Sequence, residues 1–151
     1  MTLVELVVTV SILAVLASVI LPLAQMAGQR TREVELRRNL RVLRTAIDDY
    51  KKAYDKAVEE KKINAAPNRS GYPKDLDILV SGDDFGGTKH KFLRRIPIDP
   101  MNPPKNAEEP RWGLRSYADS PDSPAWGRED VFDIYSDSEG VAIDGSRYKD
   151  W

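Results

Sequence analysis

The 151-residue sequence predicts an α+β protein in which one long N-terminal helix carries a small C-terminal head. Three patterns support this fold class. Residues 1–29 are almost continuously apolar, residues 30–62 repeat an apolar side chain every third or fourth position, and residues 63–151 mix turn residues with short apolar segments. These patterns are typical of a membrane-length helix, an amphipathic helix and a small mixed domain, respectively.

Residues 1–29 are predicted to form a hydrophobic helix that spans a membrane. Glu5 is the only ionisable side chain before Arg30, and roughly 20 apolar helical residues are enough to cross a bilayer. Pro22 has no N–H to donate to the carbonyl of Ser18, so we expect the helix to loosen there, although membrane helices also tolerate such prolines. A carboxylate in lipid is costly, so Glu5 needs a compensating partner, or it lies at the headgroup level where the dipole at the amino end of the helix stabilises it.

No Lys or Arg precedes the apolar segment, although a secretory signal peptide normally begins with a positively charged region. Two explanations remain open from the residues alone. Met1 is the initiator and the arginines that follow set the orientation, or the sequence is a mature form whose basic leader has been removed.

Residues 30–62 are predicted to continue the same helix in amphipathic form. Leucine, isoleucine and tyrosine side chains are spaced by three or four residues, which places them on one helical face. They are Leu36, Leu40, Leu43, Ile47, Tyr50 and Tyr54. We expect this face to pack on the head.

Residues 30–44 carry six arginines against Glu33 and Glu35, a net charge of +4, whereas the rest of the chain is acidic. This arginine collar directly follows the apolar segment. Contacts with anionic lipid headgroups therefore explain it better than nucleic acid, and no nucleic-acid partner is expected.

The head is predicted to contain one short helix and an antiparallel sheet of about three strands. The helix is expected between Pro73 and Ser81-Gly82, and residues 64–71 and 83–88 are expected to be loops. The three strand segments are 113–118, 131–136 and 141–144, which alternate weakly and are separated by turn residues.

The sequence favours a structural rather than a catalytic function. It contains no cysteine, and its one histidine, His90, lies between two lysines in a predicted loop. Gly86-Gly87 lacks the lysine and the spacing of a phosphate-binding loop. No enzyme activity is expected.

Several motifs resemble those of type IV pilins and type II secretion pseudopilins. The start MTLVEL at residues 1–6 is similar to the mature amino terminus of that superfamily, in which a glutamate stands fifth, and Pro22 occupies a matching place. The head narrows the resemblance to the major pseudopilin of type II secretion. Its matching segments are GYP at 71–73, FLRRIPIDP at 92–100, Tyr117, FDIYS at 132–136 and Trp151.

The resemblance implies a single-pass protein of the bacterial inner membrane with its head in the periplasm. A prepilin peptidase would remove a leader and N-methylate Met1, although Met1 replaces the more usual phenylalanine. An inner-membrane assembly platform and minor pseudopilins would then build the chain into a helical homopolymer. Glu5 would neutralise the amino group of Met1 on a neighbouring subunit, and Pro22 would let the helix loosen as it packs.

The same resemblance implies a calcium ion near the last strand, held by oxygen ligands. The corresponding residues are Ser136, Asp137, Glu139 and Asp144, whose oxygens suit calcium. The short loop and the following Arg147 and Lys149 equally fit a solvated turn, so both interpretations stay open. No other cofactor is expected.

The function predicted from these observations is that of a structural subunit of a type II secretion pseudopilus-like filament, which polymerises to drive protein export. A type IV pilin of a surface filament for adhesion, motility or DNA uptake is the first alternative. A monomeric membrane-anchored binding domain is the second.

Overall fold

A computed structural model of the chain describes residues 2–64, 70–103, 112–121, 123 and 125–151. Helix α1 spans Leu3–Glu59, 57 residues that extend about 86 Å at the standard rise. The head follows with helix α2 (Asp77–Ser81) and strands β1 (Asp83–Asp84), β2 (Lys89–His90), β3 (Trp112–Arg115) and β4 (Asp133–Ser136). A 3₁₀ turn at Tyr148–Asp150 lies next to the last residue. The α+β class, with a long N-terminal helix and a small head, is confirmed.

Both ends of α1 have local causes. Thr2 is the N-cap, and its hydroxyl accepts the backbone N–H of Glu5 at 3.3 Å. At the other end Lys61 adopts a left-handed conformation with φ of 54°, and its N–H bonds the carbonyl of Val58. The helix therefore ends at Glu59, three residues before the predicted end at 62.

The helix continues without interruption through Pro22 and Gly28. The expected loosening at Pro22 stays a prediction. Most of the predicted loop at 64–71 lies outside the described residues.

The prediction of a three-stranded sheet is wrong. The described residues form two separate two-stranded antiparallel sheets, β1 with β2 and β3 with β4. In the second sheet Trp112 faces Ser136 and Arg115 faces Asp133. The first sheet lies where an exposed loop was expected, because Gly86 and Gly87, with φ of 79° and 91°, allow a tight turn between two short paired segments.

The third predicted strand, at 141–144, folds back on itself instead. The N–H of Ala142 bonds the carbonyl of Ser146, and the N–H of Gly145 bonds the carbonyl of Ala142. Gly145 has φ of +86°, which the turn requires. Only Val141 makes a bridge, to Arg147, so the segment is a tight loop and not a sheet strand.

The core lies between the second half of α1 and the head. The apolar stripe of the helix meets α2, β4 and the 3₁₀ turn, and Tyr50 contacts the rings of Phe85 and Phe92 edge-on at 5.3 and 5.5 Å. The buried members from the helix are Leu36, Leu40, Leu43, Ala46, Ile47, Tyr50 and Ala57. Those from the head include Leu79, Val131, Ile134, Ala142 and Tyr148.

Candidate functional site

The first half of α1 projects away from the head. We call residues 3–28 the apolar arm. The large apolar side chains whose burial the structure describes are between 47% and 79% exposed, and Gln29 is the first of the described helix residues to be partly buried. By length and composition this helix is able to cross a membrane. An exposed apolar surface of this size requires an environment outside the chain, because water is an unfavourable solvent for it.

Polar side chains in the apolar arm bond the backbone of their own helix. Ser11 donates to the carbonyl of Val7 at 2.7 Å, and Ser18 donates to the carbonyl of Val15 at 2.7 Å. Thr9 donates to Leu6 at 2.9 Å in the same way. Hydroxyl groups satisfied within the helix add little cost when the helix enters lipid or a protein core.

Glu5 takes part in a capping box at the start of the helix. Its carboxylate accepts the N–H of Thr2 at 3.4 Å, while the Thr2 hydroxyl accepts the N–H of Glu5. The 3.4 Å contact is at the long limit for a hydrogen bond, so a nearby cation competes with it readily. Met1, the predicted source of that cation, lies outside the described residues, and the pairing stays a prediction.

The apolar arm leaves the head at a buried polar cluster around Glu33. One oxygen of Glu33 accepts the Tyr148 hydroxyl at 3.0 Å, the Ile143 N–H at 2.9 Å and the Gln29 side-chain amide at 3.1 Å. Gln29 also donates to the carbonyl of Val141 at 3.0 Å. Glu33 is 6% exposed, and three donors compensate the loss of water around its charge.

Tyr148 closes this cluster from the C-terminal segment. Its burial raises the pKa of its hydroxyl, and the neighbouring Glu33 carboxylate acts in the same direction. The phenol therefore stays protonated and keeps donating to Glu33. This Glu33 cluster holds the loop at residues 141–148 against α1 at the point where the apolar arm begins.

Two arginines of the collar fix the head further along the helix. Arg44 pairs with Asp133 at 2.7 Å and donates to the carbonyl of Trp151 at 2.7 Å. Arg37 pairs with Asp144 at 3.3 Å, and its guanidinium lies 4.1 Å from the centre of the Trp151 ring. These arginines serve the intramolecular interface.

Other collar arginines face outward. Arg38 and Arg41 are exposed, and neither has an ion-pair partner within the described part of the chain. Arg41 borders a shallow groove that also contains Asp49, which is paired with Lys52 at 3.1 Å. Their charges are available to a partner molecule.

The four candidate calcium ligands have different local partners. The hydroxyl of Ser136 donates to the buried Asp99 at 2.6 Å, and Asp144 accepts the N–H of Ser146 and pairs with Arg37. Asp137 and Glu139 are exposed. Among the described residues no three His, Cys, Asp or Glu side chains form a group that holds a metal ion. Calcium binding at these four residues is supported by composition alone and stays a prediction.

A cavity of about 390 Å³ opens between α1 and the segments at 70–74, 117–118 and 129–130. We call it the tyrosine pocket, and its lining includes Tyr54, Tyr72, Tyr117, Lys74, Glu129 and Asp130. Tyr72 and Tyr117 stack with ring centres 5.9 Å apart, and Tyr117 is 64% exposed. Asp130 accepts the N–H of Tyr117 at 2.9 Å and also bonds Ser70. The pocket therefore presents aromatic faces beside carboxylates.

The roles of Glu5 and Pro22 stay predictions, and the sequence analysis missed the residues that join the arm to the head. Glu33 lies three residues before Leu36 on the same helical face, which is a signal that its side chain is buried. No comparable signal marks Tyr148, because its contact with Glu33 spans 115 positions of the sequence.

The chain was compared with models of protein families, with curated proteins and with solved structures. None of the three comparisons finds a match.

Proposed function

We propose that this protein is the structural subunit of a type II secretion pseudopilus-like helical filament. The observation that carries the proposal is the apolar arm, which extends from the head without burying its side chains against it. A bilayer covers such an arm before assembly. Other copies of the same helix cover it afterwards, when the arms pack side by side as the core of a fibre.

In this proposal the chain is an inner-membrane protein with its head in the periplasm, and its work is polymerisation rather than catalysis. A prepilin peptidase processes and N-methylates Met1, and an assembly platform with minor pseudopilins starts the fibre. The growing fibre pushes exported protein outward. Loosening near Pro22 would accompany the transfer of the arm from lipid to the fibre core.

Glu5 supplies the axial register of the fibre by pairing with the amino group of a neighbouring copy. A carboxylate left alone in a low-dielectric core is costly, and an adjacent ammonium offsets this cost. The capping box offers another explanation for Glu5, because the same carboxylate already accepts the N–H of Thr2. The test has to separate the two roles.

The experiment counts fibres by electron microscopy of sheared envelope material from cells that produce Glu5→Ala, Thr2→Ala or Glu35→Ala. Thr2→Ala removes the capping hydroxyl and keeps the carboxylate, and Glu35→Ala removes an exposed carboxylate elsewhere on α1. We expect Glu5→Ala to insert in the membrane but to form few or short fibres, while the two controls form normal fibres. Normal fibre yield in Glu5→Ala contradicts the pairing, and equal loss in Thr2→Ala assigns Glu5 to capping.

The unaltered chain distinguishes the broader alternatives. Fibres confined to the periplasm fit the proposed function, whereas long surface fibres favour a type IV pilin. Absence of any fibre that contains this chain favours a membrane-anchored binding domain. Amino-terminal mass spectrometry of the fibre shows whether Met1 is N-methylated.

A further inference from the structure

Glu129 of the tyrosine pocket and the outward arginines are left unused by the contacts described above, whereas Asp130 accepts hydrogen bonds from Ser70 and Tyr117 and Asp83 accepts the Tyr50 hydroxyl. The pocket combines Tyr54, Tyr72 and Tyr117 with the carboxylates of Glu129 and Asp130. Glu129 is exposed and has no ion-pair partner among the residues that the structure describes. Aromatic faces beside carboxylates attract cations, and the planar guanidinium of arginine suits both.

The chain already uses this arrangement twice within itself. Arg37 lies over the Trp151 ring and pairs with Asp144. Arg115 lies 4.3 Å from the centre of the Tyr135 ring, and its guanidinium is 3.8 Å from the Asp133 carboxylate. Each arginine therefore rests on an aromatic ring with a carboxylate beside it.

The tyrosine pocket has the ring and the carboxylate but no arginine in its described lining. Lys51 lies 5.8 Å from the centre of the Tyr72 ring, but its charge is paired with Asp55. Lys74 is one positive charge against the carboxylates of Asp83, Glu129 and Asp130 in the same lining. The described lining is thus negative overall, which favours a cationic occupant.

We propose that the tyrosine pocket receives the side chain of Arg38 or Arg41 from a second copy of this chain. The proposal rests on the filament function proposed above. Arg41 lies thirteen residues before Tyr54 on the same helix, which is roughly 20 Å of helix axis. Two parallel copies displaced along the axis by that distance bring Arg41 of one copy level with the pocket of the other. Arg38, sixteen residues before Tyr54, requires a displacement of roughly 24 Å.

Such a contact gives the fibre a second source of register, outside its apolar core. Apolar packing of the arms depends weakly on axial position, because many side chains of similar shape follow one another. A guanidinium that stacks on a tyrosine and pairs with a carboxylate is satisfied at one offset only.

The absence of cysteine from the chain allows a direct test by disulfide trapping in intact fibres. Glu129→Cys is combined in one chain with Arg38→Cys or with Arg41→Cys, and the fibres are oxidised and separated on a denaturing gel. We expect a ladder of linked copies from at least one of these double variants. Glu129→Cys combined with Lys89→Cys, an exposed residue on β2, is the matched control and should give no ladder.

Each outcome decides between the proposals. Fibres that form but give no ladder from either arginine position overturn the contact and leave the filament function standing. Absence of fibres from the unaltered chain overturns the filament function and the contact with it. Linkage of Glu129→Cys to a different envelope protein shows that the occupant is not a second copy.

Charge reversal provides an independent measurement on full-length chains. We expect Glu129→Arg and Arg41→Glu each to reduce fibre yield about tenfold, because like charges then face each other at the contact. The double variant should restore most of the yield. The same set of variants is made with Arg38→Glu in place of Arg41→Glu. If neither double variant yields more fibres than its single variants, the pairing is overturned.

Discussion

The two halves of α1 share one continuous backbone but have opposite surroundings. The apolar arm exposes its large side chains, with Leu3 at 79% and Val15 at 66%, whereas Leu36, Leu43 and Ile47 in the second half are fully buried. The arm is apolar around its whole circumference, while the second half is apolar along one stripe. A single head can cover a stripe but not a circumference, so the arm needs an apolar environment outside its own chain.

The largest expected effect comes from opening a cavity in the packed half. Leu43→Ala removes a fully buried side chain and should lower the free energy of unfolding of the head by about 2–5 kcal/mol. Val34→Ala is the matched control, because Val34 is 61% exposed on the same helix. Urea unfolding in detergent micelles, followed by tryptophan fluorescence, measures both. An equal loss of unfolding free energy in the two variants would contradict the difference between the buried and exposed faces of the helix.

A charge in the apolar arm should impair membrane insertion and leave the stability of the head unchanged. Val15→Arg places a guanidinium near the middle of the arm, at a cost of about 2.5–3.5 kcal/mol for membrane insertion. We expect less protein in the membrane fraction, with the unfolding of the head in micelles unchanged.

Val42→Arg is the control for this variant, because Val42 is exposed on the packed half. Its insertion should equal that of the unaltered chain. Normal insertion of Val15→Arg would contradict the assignment of the arm to an apolar environment.

The contrast between the two halves could be predicted from the sequence because it depends on local periodicity. The predicted face consists of Leu36, Leu40, Leu43, Ile47, Tyr50 and Tyr54. The first five are buried, and Tyr54 at the end of the series is partly buried. Helical spacing repeats every turn, so a few adjacent turns are enough to reveal the pattern.

The details of the head could not be predicted in the same way. The segment at 141–144 has the composition of a strand, but the positive φ of Gly145 turns it back on itself. The hairpin around Gly86 and Gly87 has the composition of a loop, yet its flanks pair. In both places the backbone conformation of glycine and the neighbouring segments decide the structure. The alternation of apolar and polar residues along the sequence reports neither of them.

The Glu33 cluster lies at the boundary between the two halves of α1. A substitution in this cluster should destabilise the head less than Leu43→Ala does. Glu33→Gln replaces a carboxylate that accepts three donors, and we expect it to lower the free energy of unfolding by about 1–3 kcal/mol. Glu35 lies two residues further along the same helix and is exposed, so Glu35→Gln should leave the free energy of unfolding almost unchanged.

Hydrogen exchange at the Ile143 amide localises this change. The N–H of Ile143 bonds Glu33 directly, so its exchange should accelerate more than that of the Leu79 amide in α2. Uniform acceleration across the head would show that the cluster has no local role in holding the loop.

The smallest expected effects concern the pH dependence of two loops in the head. N–H groups of Gly127 and Ser116 lower the pKa of Asp119, and bonds from Ser146 together with Arg37 lower that of Asp144. A carboxyl whose pKa is lower in the folded state stabilises the fold above its unfolded pKa. That stabilisation is lost as the pH falls through the folded pKa.

Titration followed by NMR in micelles should therefore show both carboxyls protonating below the usual range for aspartate. In Asp119→Asn the local pH response of the Ser116 and Gly127 amides should disappear, while that of Asp144 remains. The apolar arm has Glu5 as its one ionisable group up to residue 28, so its core should show no comparable acid response. An ordinary pKa for Asp119 would contradict the hydrogen bonds that hold its loop.

Helical reconstruction of the purified fibre by electron microscopy tests the central claim most directly. We predict that residues 3–28 of many copies pack together along the fibre axis, with each head outside and attached to its own helix through the stripe from Leu36 to Tyr50. Fibres in which the heads form the core and the arms are splayed outward would contradict the account. So would arms that contact only lipid or detergent in an assembled fibre.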